Sequence, residues 1–388
     1  MIFDHLADEK KPWLASSATL CKTLLPEVEA ALYREIEIGT CKYASALCRA
    51  ISKRRYRAVF VRKLVVSVRG GTSIKQHLKN ALPLLTNLTS LELVVDDPSI
   101  FDILLHCSFL LHTLIIGGER YTPRLEDILA SQPDIERLSF VFIPEHSRDE
   151  VQPKVSRPDI LPRLRTLTAF ASRFPLTFIT HPYPITHLSI MGASHDDIAH
   201  VVNLFGSTLV TVCILRLVGD KCTPACYWPA SMFRNAHLPK LEHVKVTDLY
   251  GPSTDLPCER DTMPVPGLHE ACPALKTIMW SVDSSVMDDL YWPHPDSDET
   301  GEIMMTEYAR VLFATLPALV AFTVHELGDS THDGDGAVYG EVYRRAEDRS
   351  VMGPENEPVE LGMWRGLYAE LVSQHSASSG ATVCLEKC

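Results

Sequence analysis

The sequence predicts an α/β fold: one curved parallel sheet with helices on its convex side, built by stacking a short unit many times. Two observations predict it. The pattern apolar-x-x-apolar-x-apolar recurs along most of the chain, and stretches with apolar residues at helical spacing lie between the copies. A third observation bounds the alternatives. The chain has 388 residues, 46% of them apolar, enough for two or three ordinary domains or one elongated array.

The unit is clearest in LTNLTSLELVVDD, where Leu85, Leu88, Leu91 and Leu93 are spaced three, three and two apart. Anchored at Leu88 (LTSLEL), the pattern returns at Leu111, Ile135, Leu164, Ile185, Leu209, Leu241, Leu275 and Leu319, with Val61 (VRKLVV) as a first copy. Successive anchors are 27, 23, 24, 29, 21, 24, 32, 34 and 44 residues apart. The last two apolar positions alternate, as on a strand with one buried face. The spacing of three belongs to the turn that enters the strand. Segments 74–85, 99–110, 124–132 and 195–206 read as helices, with Ser99, Thr122 and Ser194 near their starts. Pro83, Pro133, Pro162, Pro239, Pro273 and Pro317 separate helix from strand. A helix, a turn and a short strand at this period form the signature of a leucine-rich-repeat solenoid, whose units bury each other because none can bury its own apolar face. An ordinary α/β domain shares the alternation, but no strand is followed by GxGxxG or GxxxxGK[ST], so a nucleotide-binding version lacks its phosphate loop. The repeats span 61–327. Residues 328–388 read as an acidic flexible region with a last helix at 361–374.

Residues 1–50 do not carry the repeat and read as helices, with Leu14, Ala18, Cys21, Leu25, Val28 and Leu32 at helical spacing and Pro26 marking a boundary. Ile2, Phe3 and Leu6, then Leu20, Cys21 and Leu24, then Leu32 and Tyr33 before Ile36-Glu37-Ile38, resemble the successive helices of an F-box. The family's opening Leu-Pro-x-Glu would fall upstream of Met1, and its tryptophan is Leu24 here, so the resemblance is to an F-box lacking its first turn. An F-box at 1–38, a basic helical linker at 39–60 and then degenerate leucine-rich repeats is an order common in fungal proteins. The resemblance implies a substrate-recognition subunit of an SCF-type ubiquitin ligase. Ile2, Phe3, Leu6, Leu20, Cys21, Leu24, Leu32 and Tyr33 would then dock a Skp-type adaptor linked to a cullin scaffold, and the repeats would hold a protein substrate. A helical cap over the open apolar end of the solenoid is the other reading of 1–38. A repeat scaffold that binds a protein without an adaptor is the other reading of the whole.

The remaining signals favour binding over catalysis. The formal net charge of −12 opposes general nucleic-acid backbone binding. No apolar run reaches a membrane span and the N-terminus does not read as a secretion signal, so a cytoplasmic or nuclear location is expected, with Cys107, Cys213 and Cys272 as reduced thiols. No G-x-S-x-G or H-E-x-x-H occurs, and Cys222-x3-Cys226 has no second matching pair, so no enzyme, cofactor or metal is expected. Candidate target contacts are the x positions of the strands: Ser90, Glu92, Arg137, Ser139, Thr166, Thr168, His187, Ser189, His243, Lys245 and Thr277. Tyr291 and Trp292, in the long insert before the last unit, are candidate anchors or fold back on the repeats. The basic run KRRYR (53–57), with Arg62, Lys63 and Arg69, reads as an import signal, a patch for an acidic partner, or a solvated face joining box to repeats.

Overall fold

The computed structural model describes residues 25–68, 73–118, 122–142, 157, 159–170, 182–191, 198, 201–202, 204–218, 232–233, 236–250, 267–282, 301–326, 339–345 and 351–358. They form an α/β architecture of mostly parallel strands and helices. The chain divides into two compact units, 1–165 with 177–183 and 166–176 with 184–388.

In the first unit the strands are β1 (Glu35–Ile38), β2 (Lys63–Val68), β3 (Ser90–Val95), β4 (Thr113–Gly118) and β5 (Arg137–Phe142). They pair in sequence order, all parallel. The second unit continues the same scheme with β6 (Thr166–Phe170), β7 (His187–Met191), β8 (Thr211–Val218), β9 (His243–Tyr250), β10 (Thr277–Val282) and β11 (Ala321–Glu326). These too are parallel neighbours. The stretches 91–93, 114–116, 138–140, 188–190, 244–246 and 278–280, expected as strands, are all in this set.

The three apolar positions of all ten units are buried, none more than 5% exposed. Burial of that order stabilises by about 1.5–3 kcal/mol per large aliphatic side chain, before chain entropy is subtracted. Five of the anchors close the same proline turn. The N–H of Ile135, Leu164, Leu241, Leu275 and Leu319 donates to the carbonyl three residues back, at Gln132, Leu161, Leu238, Cys272 and Leu316. Proline sits second in each of these turns, where its fixed φ suits the geometry and its missing N–H is not needed. A second backbone device joins the units: the carbonyls of Arg62, Thr89, His112, Val210, Glu242 and Lys276 each accept two successive N–H groups at the start of the next strand.

The connecting elements are α1 (Leu25–Arg34), α2 (Cys41–Lys53), α3 (Ser73–Ala81), α4 (Leu125–Ala130), α5 (Leu268–Ala271) and α6 (Gly301–Thr315). In α2, Thr40 caps the start by accepting from the Tyr43 N–H, and Ala44, Cys48 and Ile51 form one buried stripe. The helix expected at 99–110 is a 3₁₀ helix at Pro98–His106, capped by Asp97 rather than by Ser99. At the end of β4 the backbone runs so close to its neighbour that a Cβ on Gly118 would meet the Val95 carbonyl oxygen at 2.1 Å.

Two expectations fail at the ends. Ile36-Glu37-Ile38 is not helical but is β1, paired with β2, so the sheet begins ahead of the first recognised repeat and an all-helical segment to residue 38 is incorrect. Its apolar-polar alternation is that of a strand. Beyond β11, part of the region expected to be flexible forms β12 (Tyr339–Arg345) and β13 (Val351–Pro358), an antiparallel hairpin added to β11. It is held by Tyr343 stacked on Phe322 at 5.8 Å and by Arg345, whose guanidinium donates to the Leu316 and Leu319 carbonyls at 2.7 and 3.1 Å. The expected helix at 361–374 lies outside the described residues.

Candidate protein-binding surface

Each strand turns its repeat leucines to one side and its x residues to the other. The x residues form rows across the strands. The first row, at the strand starts, runs Glu35, Lys63, Ser90, Thr113 and Arg137 in the first unit. In the second it runs Thr166, His187, Thr211, His243 and Thr277. Most of this row is accessible: Arg137 and His187 are exposed, and Ser90, Thr166, His243 and Thr277 are half-buried. The second row differs. Glu92 is half-buried, but Ser139, Thr168, Ser189 and Lys245 are at most 4% exposed. These four were expected to meet a target, and their side chains are instead buried. Alternation assigns a residue to a face, and this part of the face is covered. Tyr291 and Trp292 lie outside the described residues.

Around His243 the first row is knit by polar contacts. Its Nδ1 lies 2.9 Å from Thr277 Oγ1 and its Nε2 3.7 Å from the Glu242 carboxylate, which in turn holds Lys276 Nζ at 2.8 Å. Partial burial lowers the His243 pKa, Glu242 opposes and Lys276 reinforces, a balance that favours the neutral ring. In the second row, register brings Ser189, Cys213 and Lys245 onto adjacent strands. Burial lowers the Lys245 pKa, against the attraction of the Cys213 thiol, and raises that of Cys213. Burial also pushes Cys107 and Cys272 up to about 12, so these thiols resist ionisation. Among the described residues, no group of His, Cys, Asp and Glu could hold a metal ion, and no helix is long and apolar enough to cross a membrane.

Of the residues that the F-box resemblance assigns to an adaptor, Ile2, Phe3, Leu6, Leu20, Cys21 and Leu24 lie outside the described residues. Leu32 and Tyr33 close α1 and are half-buried. The Tyr33 ring lies under the Arg57 guanidinium at 5.1 Å. That arginine belongs to the basic run, which is only partly a solvated face. Glu29, 4% exposed on α1, forms an ion pair with Arg57, accepts a hydrogen bond from Tyr56 Oη at 2.5 Å and lies 3.4 Å from Arg54 Nη1. Burial alone would raise its pKa. The Tyr56 and Arg57 bonds and the two cations outweigh that and hold it below the usual carboxylate value. Arg54, Tyr56 and Arg57 thus clamp α1 to the 3₁₀ turn at Arg55–Phe60. The sequence signal for this is a lone Glu29 on the apolar face of α1.

Gln132 was also missed. It occupies the slot held by Leu161, Leu238 and Leu316 in other units. Its buried amide accepts from the Leu111 N–H at 2.9 Å and donates to the Phe109 carbonyl at 3.2 Å. A polar residue in an otherwise apolar slot could have found it. No protein-family model matches the chain, and no curated protein matches it.

Proposed function

We propose that the chain is a protein-binding receptor rather than an enzyme: a leucine-rich-repeat solenoid that presents a target to a ubiquitin ligase through an F-box-like N-terminus on a Skp-type adaptor and its cullin scaffold. The observation that carries the reading is the repetition. Ten units place the same three positions in a core, five of them share one proline turn, and at least six pass paired backbone bonds to the next strand. Such an array makes a long ordered surface and no single reactive cleft. The surface available to a target is narrower than the sequence suggests. Within each unit it consists of the strand starts: Arg137, with Glu92, in the first, and His187 and His243 in the second.

Affinity purification of the tagged chain with mass spectrometry tests this. Adaptor and cullin peptides should co-purify, and Ile2→Asp with Leu20→Asp should remove them while circular dichroism stays unchanged. Absence of both from the wild-type purification rejects the ligase reading. One observation favours the second reading, a repeat scaffold without adaptor. Leu32 and Tyr33 are engaged within the chain, with Tyr33 packed beneath Arg57.

A further inference from the structure

Charge is divided unevenly along the chain. Residues 25–90 hold twelve Lys and Arg against four Asp and Glu, although the whole chain carries −12. One of the four acids, Glu29, is buried and already paired. The excess lies in the segment that holds the first strands, and beside them the surface has a groove of about 800 Å³. Its floor is apolar, made by Ala30 and Ala31 of α1 with Val59 and Phe60 of the 3₁₀ turn. Val59 is 40% exposed. Its rim carries Arg34, Arg62 and Lys63, all exposed, together with Glu27 and Glu35, the latter the cross-strand neighbour of Lys63.

The groove is preformed. The Arg34 carbonyl accepts the Arg62 N–H, and the Arg62 carbonyl accepts the N–H groups of Thr89 and Ser90. Arg62 Nη1 donates to the Asn87 carbonyl at 3.3 Å, and the Asn87 amide donates to the Val59 carbonyl at 2.8 Å. The segments that form the groove are therefore tied together before anything binds, which lowers the ordering cost of binding.

We propose that this groove is a docking site for an acidic peptide segment of a protein partner, with an aliphatic side chain on the Val59–Phe60 floor and carboxylates on Arg34, Arg62 and Lys63. Two features favour a peptide over a nucleic acid. Phe60 is the one aromatic among the described floor residues, so there is no row of stacking aromatics. Glu27 and Glu35 on the rim would repel a continuous phosphate backbone, whereas a peptide can place its backbone beside them. Arginine forks suit carboxylates, and rim charges speed and orient encounter. The inference stands whether or not the chain belongs to a ubiquitin ligase.

Fluorescence anisotropy on the full chain tests it, with three labelled probes: a peptide with a single leucine among glutamates, the same peptide with lysine for glutamate, and a short single-stranded oligonucleotide. The glutamate peptide should bind and weaken as salt rises, since exposed pairs are screened within about 10 Å at 0.1 M. Arg62→Glu with Lys63→Glu should weaken it at least about tenfold, the scale of losing charge-assisted contacts. Ala30→Trp, which fills the floor without altering charge, should weaken it too. Lys240→Glu with Arg310→Glu, the same charge change on other exposed residues, should leave it unchanged. Thermal melts confirm that each variant is folded. The proposal is overturned if the glutamate peptide does not bind, if the lysine peptide binds as well, if the oligonucleotide binds more tightly, or if both charge-reversed pairs behave alike.

Discussion

Strands β2–β4 and strands β6–β11 are built from one repeat, yet only the first set leaves the middle of its polar face partly open. Val65, Glu92 and Ile115 there are half-buried, while Thr168, Ser189, Cys213, Lys245, Met279 and Thr323 are all under 10% exposed. The apolar face shows no such contrast. Leu91 and Leu188 are 0% and 2% exposed, and the other units agree. The repeat therefore specifies one side of each strand and leaves the other to context. Parallel sheets are commonly buried on both faces, and the second set follows that rule with mostly polar residues.

The comparison can be broken at the apolar face first. Leu91→Asp in the first unit and Leu188→Asp in the second should be equally damaging, because each buries a carboxylate among hydrocarbon at a cost of several kcal/mol against a total stability of about 5–15 kcal/mol. Both should be insoluble or unfolded by circular dichroism. A soluble variant with unchanged melting would remove that leucine from the core. The polar face should separate the two sets of strands instead. Lys245→Glu places a carboxylate where almost no solvent reaches and should cost about 3 kcal/mol or more. Glu92→Lys in the first unit should stay within about 0.5 kcal/mol. Equal denaturant midpoints for the two would erase the distinction.

Gln132 sharpens the comparison within the turns. Gln132→Leu installs the residue that the second unit uses at this place, in Leu238 and Leu316. It should nonetheless destabilise by about 1–3 kcal/mol, because the Leu111 N–H and the Phe109 carbonyl lose their buried partner. A neutral or stabilising result in urea titration would mean that the slots are interchangeable. The smallest effect is set by pH. Glu29 has a folded pKa below its ordinary 4.5, so its contribution is complete above that value and lost as pH falls through the lowered one. Glu29→Gln should therefore reduce the melting temperature at pH 7, and the difference from wild type should shrink in strong acid. A difference that is constant with pH would show that the ion pairs with Arg54 and Arg57 are not its source.

Much of this architecture was legible in advance because it rests on apolar spacing. Leu88, Leu91 and Leu93 fix turn, strand and buried face by geometry alone, and prolines such as Pro239 and Pro273 mark the turn before the anchor. What escaped depends on partners remote in sequence. Lys245 looked exposed because charged residues rarely lie inside, and alternation does not say whether a face is covered. The strand at Glu35–Ile38 alternates, but four residues are too few to separate that alternation from the end of the preceding helix. Tyr339–Arg345 is a strand only because β11 and β13 flank it, and its acidic surroundings suggested a loop. Arg54 and Arg57 read as surface charge until Glu29, 25 residues and more away, turned out to face them. For the proposed target surface, the row was identifiable but its accessible members were not.

The hairpin that follows β11 bears on self-assembly. A parallel array ends in an edge that displays the same donors and acceptors as every internal strand, so a further copy could add on and a chain of molecules could grow. Here β12 reverses the direction, and β13, the outermost of these strands, contains Pro354 and Pro358, which have no N–H to offer. Strand polarity and missing donors thus both oppose templated addition at this end. Removing 339–358 would leave β11, AFTVHE, as a bare edge with Phe322 and Val324, and such a chain should form fibres on concentration.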